Sequence, residues 1–163
     1  MRLALLIAPA AALLLAACGS SGASVTDGGA KAAKGAVSAA TFTHETEVAD
    51  DPDDETAMVP RTDCLSVEPT GDGALRYSFL LNFDFDHACQ MDGTAVAAGP
   101  GVWVDTKEDG CKLTIAFDDH GVTLGDSGEP ACRDNWCGAR GSIDGNGFQA
   151  SEAGALTACP AGR

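Results

Sequence analysis

The sequence predicts an all-β domain, a small antiparallel barrel or sandwich stapled by disulfides and preceded by a disordered tether. Three observations carry that expectation. Two segments alternate apolar and polar residues with period two, no long stretch shows helical periodicity, and an even set of six cysteines lies between Cys64 and Cys159. So many cysteines in about a hundred residues suit a core too small to hold itself without cross-links.

The clearest strand runs from Leu75 to Asp86. Leu75, Tyr77, Phe79, Leu81, Phe83 and Phe85 share one side, and Arg76, Ser78, Asn82, Asp84 and Asp86 the other, with Leu80 out of step. Cys111 to Phe117 repeats the pattern, and Asp118-Asp119-His120-Gly121 reads as a turn into Val122-Thr123-Leu124. Val102-Trp103-Val104 precedes a second turn signal at Asp109-Gly110, so residues 102–124 are expected to form a three-stranded meander. Asp144-Gly145-Asn146-Gly147 adds a hairpin turn, because Asp, Asn and Gly tolerate positive φ. Phe83-Asp84-Phe85-Asp86-His87 and Phe117-Asp118-Asp119-His120 echo one another, which strand-and-turn grammar explains as well as an internal repeat does.

Upstream, residues 19–60 are rich in Ala, Gly, Ser, Thr and charge, with Phe42 their only aromatic, the composition of a solvated linker. The expected organisation is therefore a linker over 18–60 and the β domain over 61–163. Within the linker, the acidic run Asp50 to Glu55 reads as a self-repelling spacer, since no turn geometry gathers its carboxylates around one point. His44 falls in the same linker and has no evident companion.

Cys64, Cys89, Cys111, Cys132, Cys137 and Cys159 are expected to form three disulfides. The sequence does not select a connectivity; pairing near neighbours gives Cys64 with Cys89, Cys111 with Cys132 and Cys137 with Cys159. Zinc is the competing use for Cys132 and Cys137, but no second closely spaced Cys or His pair completes a tetrahedron.

Gly125-Asp126-Ser127-Gly128 is similar to the nucleophile loop of chymotrypsin-like proteases, with His87 and Asp105 upstream in that family's order. Glu129-Pro130 follows where the family has Gly-Pro, His87 sits in Asp-His-Ala-Cys instead of Ala-Ala-His-Cys, and the family's two barrels need about twice the residues available. A turn is the expectation there, and no catalytic residue is assigned. Asp105 to Gly110 begins like a calcium loop, but Lys107 and Ala116 stand where ligand oxygens belong, so neither metal nor cofactor is expected. His120 lies in a turn without a catalytic companion.

At the N-terminus, Arg2 precedes an apolar run from Leu3 to Ala17 that is shorter than the ~20 residues of a membrane-spanning helix. It closes on Leu15-Ala16-Ala17-Cys18, which resembles the lipobox of bacterial lipoproteins. The resemblance implies that residues 1–17 are a signal peptide and that Cys18 carries the acyl chains, palmitate among them, that anchor the protein. Gly19, where the family's inner-membrane retention signal is usually Asp, implies the outer membrane of a two-membrane envelope, on its periplasmic or surface face. Trp136-Cys137-Gly138-Ala139-Arg140 resembles a segment of small exported bacterial proteins of an uncharacterised type. The overall plan of a small exported disulfide-bearing β domain on a lipid anchor is similar to that of the membrane-bound inhibitors of C-type lysozyme. Their Ser-Gly and Tyr-containing motif has no counterpart around Tyr77, the single tyrosine.

The chain holds 24 acidic residues against 10 Lys and Arg, a net charge of −14. Such a surface repels nucleic acid and favours cationic proteins or peptides. Asp84 and Asp86, on the polar side of the long strand, and Arg140, a base in an acidic chain, are the candidate partner contacts; the two aspartates read otherwise as solvated positions on the outer face of the sheet. Arg140 has an alternative use, neutralising Asp134 or Asp144. The expected function is that of a non-enzymatic, lipid-anchored acidic lipoprotein of the cell envelope with a binding or structural role. The alternatives are an inhibitor of a cationic lysozyme and a small serine hydrolase built on Ser127.

Overall fold

The computed structural model describes residues 37–127 and 130–160. The signal peptide, Cys18, the first part of the linker and Gly128 lie outside them. Nine strands are found among the described residues: β1 (Ala40–Asp51), β2 (Asp54–Pro69), β3 (Leu75–Asn82), β4 (Ala88–Gly99), β5 (Val102–Thr106), β6 (Lys112–Phe117), β7 (Gly121–Gly125), β8 (Gly147–Gln149) and β9 (Ala153–Gly154). A short helix, α1 (Pro130–Trp136), sits between β7 and β8, and a 3-10 turn spans Ala150–Glu152.

The strands pair in the order β8-β7-β6-β5-β4-β3-β2-β1-β9, and every pairing is antiparallel, the pattern that short hairpins impose. Beyond β8 the chain makes its 3-10 turn and β9 joins β1 at Thr41 and Phe42. Phe148 of β8 thereby packs on Phe42 of β1 with ring centroids 6.3 Å apart, and the sheet becomes a nearly closed barrel. Closure covers edges that would otherwise template further pairing.

Alternation fills the barrel. Leu75, Tyr77, Phe79 and Leu81 of β3 face inward at 3 % exposure or less, joined by Leu65 and Val67 of β2, Met91 of β4, Leu113 and Ile115 of β6 and Leu124 of β7. The predicted meander is present as β5, β6 and β7, with Asp109-Gly110 and Asp118 to Gly121 in its two turns. Gly121 is required there: a Cβ at φ +153° would run into the Phe148 carbonyl of β8. Leu80, out of step in the sequence, points to the outer face beside its partner Cys64 and is only 7 % exposed.

Three expectations about the elements need correction. The linker does not extend to residue 60: β1 and the first part of β2 occupy 40–60, because Phe42 finds its apolar neighbours, Phe117 and Phe148, far along the chain. Local composition cannot register burial supplied by tertiary partners. The long strand ends at Asn82, not Asp86. Asp63 Oδ1 takes the Asn82 N–H at 2.8 Å, ending the ladder, and 83–87 forms the β3–β4 turn. Asp144 to Gly147 does turn the chain, with Asn146 N–H donating to the Ile143 carbonyl, but no strand immediately precedes it, so it is not a hairpin. α1 was not foreseen, since seven residues are too few to display a helical period.

The disulfides are Cys64–Cys159, Cys89–Cys137 and Cys111–Cys132. Of the neighbour pairings only Cys111 with Cys132 is found, and the sheet explains why. Cys64 stands opposite Leu80 and Cys89 opposite Leu81, successive residues of β3, so the two thiols lie on opposite faces and cannot meet. Cys89, facing inward, is bridged by Cys137 at the end of α1, while Cys64, facing outward, takes Cys159. The three bridges nest, Cys111–Cys132 within Cys89–Cys137 within Cys64–Cys159.

Candidate functional site

The β3–β4 turn is the most strained part of the described backbone. Its central residues, Phe85 and Asp86, both adopt left-handed conformations, φ +59° and +57°, which cost a non-glycine residue about 1–3 kcal/mol each. Three contacts hold them. Phe85 N–H donates to the Ala49 carbonyl at 2.6 Å, Asp84 Oδ1 accepts the Ala49 N–H at 2.8 Å, and the Arg140 guanidinium lies 4.5 Å from the Phe85 ring centroid. The turn is thus docked on β1 from one side and covered by Arg140 from the other.

All three candidate partner contacts, Asp84, Asp86 and Arg140, therefore gather around Phe85. They are not equivalent. Asp84 is committed to backbone, and Asp86 pairs with Arg61 Nη2 at 3.1 Å, which also holds Asp50 at 2.8 Å. Arg140 has no carboxylate partner among the described residues. It neutralises neither Asp134, which lies against Arg133, nor Asp144. A cation stacked on a ring keeps its N–H fork free at the rim, so Arg140 remains able to take a carboxylate.

β1 and β2 supply the adjoining surface. Past Cys64, toward its N-terminus, β2 has no ladder partner except β1, and the two run on as a ribbon to a turn at Pro52-Asp53. Asp51 Oδ1 accepts the Asp53 N–H at 2.9 Å and closes that turn locally. Glu45, Glu47, Asp50, Asp51, Asp53, Asp54 and Glu55 are all exposed on this ribbon, where Arg61 is the one Lys or Arg. His44, expected in a linker, is instead a β1 residue between Asp63 Oδ2 at 3.4 Å and Glu152 Oε2 at 3.5 Å, on the seam that Phe148 closes.

The residues of the protease-like pattern fall in different parts of the fold: Asp105 in β5, His87 at the β3–β4 turn and Ser127 after β7. Asp105 Oδ2 accepts from Tyr77 OH and from Lys107 Nζ, both at 2.8 Å, inside the wall where Gly93 leaves room. Lys107 also donates to the Asp92 carbonyl and lies between the Tyr77 and Trp136 rings, 5.6 and 5.5 Å from their centroids. His87 closes the β3–β4 turn, its N–H donating to the Asp84 carbonyl, and Ser127 follows β7 at φ +58°. Cys132 and Cys137, the zinc alternative, are both in disulfides.

The Tyr77 hydroxyl is held neutral far above its usual range, first by burial, then by its hydrogen bond to Asp105 and by the charges of Asp105 and Asp92. Because the folded value exceeds the unfolded ~10, the stability it contributes is complete below about pH 10 and declines as pH rises further. As the single tyrosine, it makes the spectrum simple to read. Tyrosinate absorbance is expected to stay flat through pH ~10 and to appear only with alkaline unfolding. A reversible rise near that pH with the far-ultraviolet spectrum unchanged would show the ring to be accessible.

No protein-family profile, curated protein or solved structure matches the chain. Fold and site together define a class: a small, disulfide-stapled antiparallel barrel bearing an acidic ribbon beside a strained turn.

Proposed function

We propose that this protein is a non-enzymatic, lipid-anchored acidic lipoprotein of the cell envelope whose barrel binds a cationic protein. Cys18 holds it to the membrane through its acyl chains, and a two-membrane host would carry it on the outer membrane. The observation that supports the binding role above others is the ribbon. It concentrates exposed carboxylates on two strands that the rest of the sheet leaves free, next to a turn fixed at energetic cost. Such a field speeds encounter with a basic partner more than it tightens the final complex. Arg140 complements it by offering one fork to a carboxylate on that partner.

A cationic C-type lysozyme is the partner to try first, with its activity recorded alongside binding. For the full chain with its disulfides formed, replacing Asp50, Asp51, Asp53 and Asp54 together by Asn is expected to lower the association rate ~10-fold or more at low salt while changing dissociation little. Association unaffected by the four substitutions, or absent from both proteins at physiological salt, would remove the ribbon from the binding role. Enzyme inhibition that survives physiological salt would identify the protein as a lysozyme inhibitor.

A further inference from the structure

The outer face of the barrel carries a second feature, unrelated to the ribbon's charge. The C-terminal segment crosses β1 and β2, fastened by Thr41 Oγ1, which donates to the Thr157 carbonyl at 2.7 Å and accepts the Thr157 N–H at 2.8 Å, and by the Cys64–Cys159 bridge. Beside this strap lies a groove of about 470 Å³. Its floor is two cross-strand rows. Ser66, Ser78 and Asp92 form one across β2, β3 and β4, and Glu68, Arg76 and Thr94 form the other. Strand spacing and rise make this floor about 7 by 10 Å.

The Ser66, Ser78 and Thr94 hydroxyls and the Asp92 carboxylate have no hydrogen-bond partner among the described residues. Glu68 and Arg76 are paired with each other at 2.6 Å, which nearly cancels their charges. Leu156, 43 % exposed, gives the wall an apolar patch. With Glu68 and Arg76 neutralising each other, the one uncompensated charge on the floor is Asp92, which opposes an anion on a chain of net charge −14 and gives a small cation a single carboxylate, too few ligands to hold it. A neutral polyhydroxyl ligand meets neither objection. Its hydroxyls donate to Asp92, exchange hydrogen bonds with the three side-chain hydroxyls, and leave a C–H face for Leu156.

We propose that this groove is a saccharide-binding site sized for one or two neutral sugar units, independent of any cationic partner. Because the one lining aromatic, Tyr77, is buried with its hydroxyl on Asp105 and offers no open face to stack a sugar, the affinity is weak, on the order of 1 mM.

The test is amide and saturation-transfer NMR on the full chain with maltose, cellobiose and N,N′-diacetylchitobiose, beside putrescine as a cation and galacturonate as an anion. At least one neutral disaccharide is expected to shift the amides of Ser66, Ser78, Asp92 and Thr94. Asp92→Asn and Ser78→Ala, both outward-facing, are each expected to weaken that binding about tenfold with the remaining spectrum unchanged. Silence with all three disaccharides at about 20 mM, tighter binding of putrescine or galacturonate, shifts elsewhere on the barrel, or full affinity in both variants would each overturn the proposal.

Discussion

Replacing Cys64 and Cys159 together by Ala is expected to destabilise the domain by up to about 4.7 kcal/mol, the largest loss from removing any one of its bridges. The two residues are 95 apart in sequence, so their bridge removes the most freedom from the unfolded chain. Cys111–Cys132, at a separation of 21, is worth about 3.3 kcal/mol on the same relation. With the inner bridges intact the effective loop shortens, which brings the outer value down without reversing the order. The outer bridge also fastens the strap beside the groove, together with the Thr41–Thr157 hydrogen bonds. Urea unfolding of the two double variants beside the parent protein gives the comparison. Equal losses, or a larger one for Cys111–Cys132, would mean that native strain or residual denatured structure outweighs loop length here.

Lys107→Met is expected to cost about 3 kcal/mol, at the lower end for breaking a buried ion pair because both side chains keep slight solvent access, 18 % for Lys107 and 13 % for Asp105. Methionine preserves the apolar stem between the Tyr77 and Trp136 rings and removes only the charge. Asp105 is then left in the barrel wall with the Tyr77 hydroxyl as its remaining donor. Restoring neutrality should recover much of the loss, so Lys107→Met with Asp105→Asn is expected to be more stable than Lys107→Met alone. Gly93→Ala reaches the same cluster sterically, since its Cβ would stand 2.5 Å from both Asp105 Oδ2 and Lys107 Nζ. A loss below about 1 kcal/mol for Lys107→Met would show that water reaches and screens the pair.

The fold class was legible where burial is local. Alternation in β3 and in the β5–β7 meander, with turn residues between, marked strands whose inner faces are apolar at every second position. β1 was illegible for the converse reason: a ribbon strand with few apolar residues, Thr41-Phe42-Thr43-His44-Glu45, borrows its burial from β8 and the strap. Asp51-Pro52-Asp53 between stretches containing Thr and Val was the turn signal that, weighed with β-branched content, points to a hairpin there. The disulfide pairing was illegible because it depends on which face of the sheet each thiol occupies. A shift of one residue, such as that between Leu80 and Leu81 opposite Cys64 and Cys89, reverses the answer.

The candidate site was legible residue by residue but not in its geometry. Asp84, Asp86 and Arg140 stood out by charge, yet the sequence placed the two aspartates on a flat strand and Arg140 far away. Phe85, which joins them, continued the apolar alternation and so read as core. Nothing in a residue's identity announces that it takes a left-handed conformation under a guanidinium; that is fixed by Ala49 and Arg140, more than thirty residues away on either side.

Nesting of the three bridges has a consequence for survival in protease-rich surroundings. A single cut anywhere between residues 64 and 159 leaves the two pieces covalently joined, because Cys64–Cys159 spans every such point. Cuts in the Asp118 to Gly121 turn are spanned by all three bridges. The nicked barrel keeps its strands within reach of one another and can re-form them, so one proteolytic event in a turn alters the chain's connectivity without releasing a fragment.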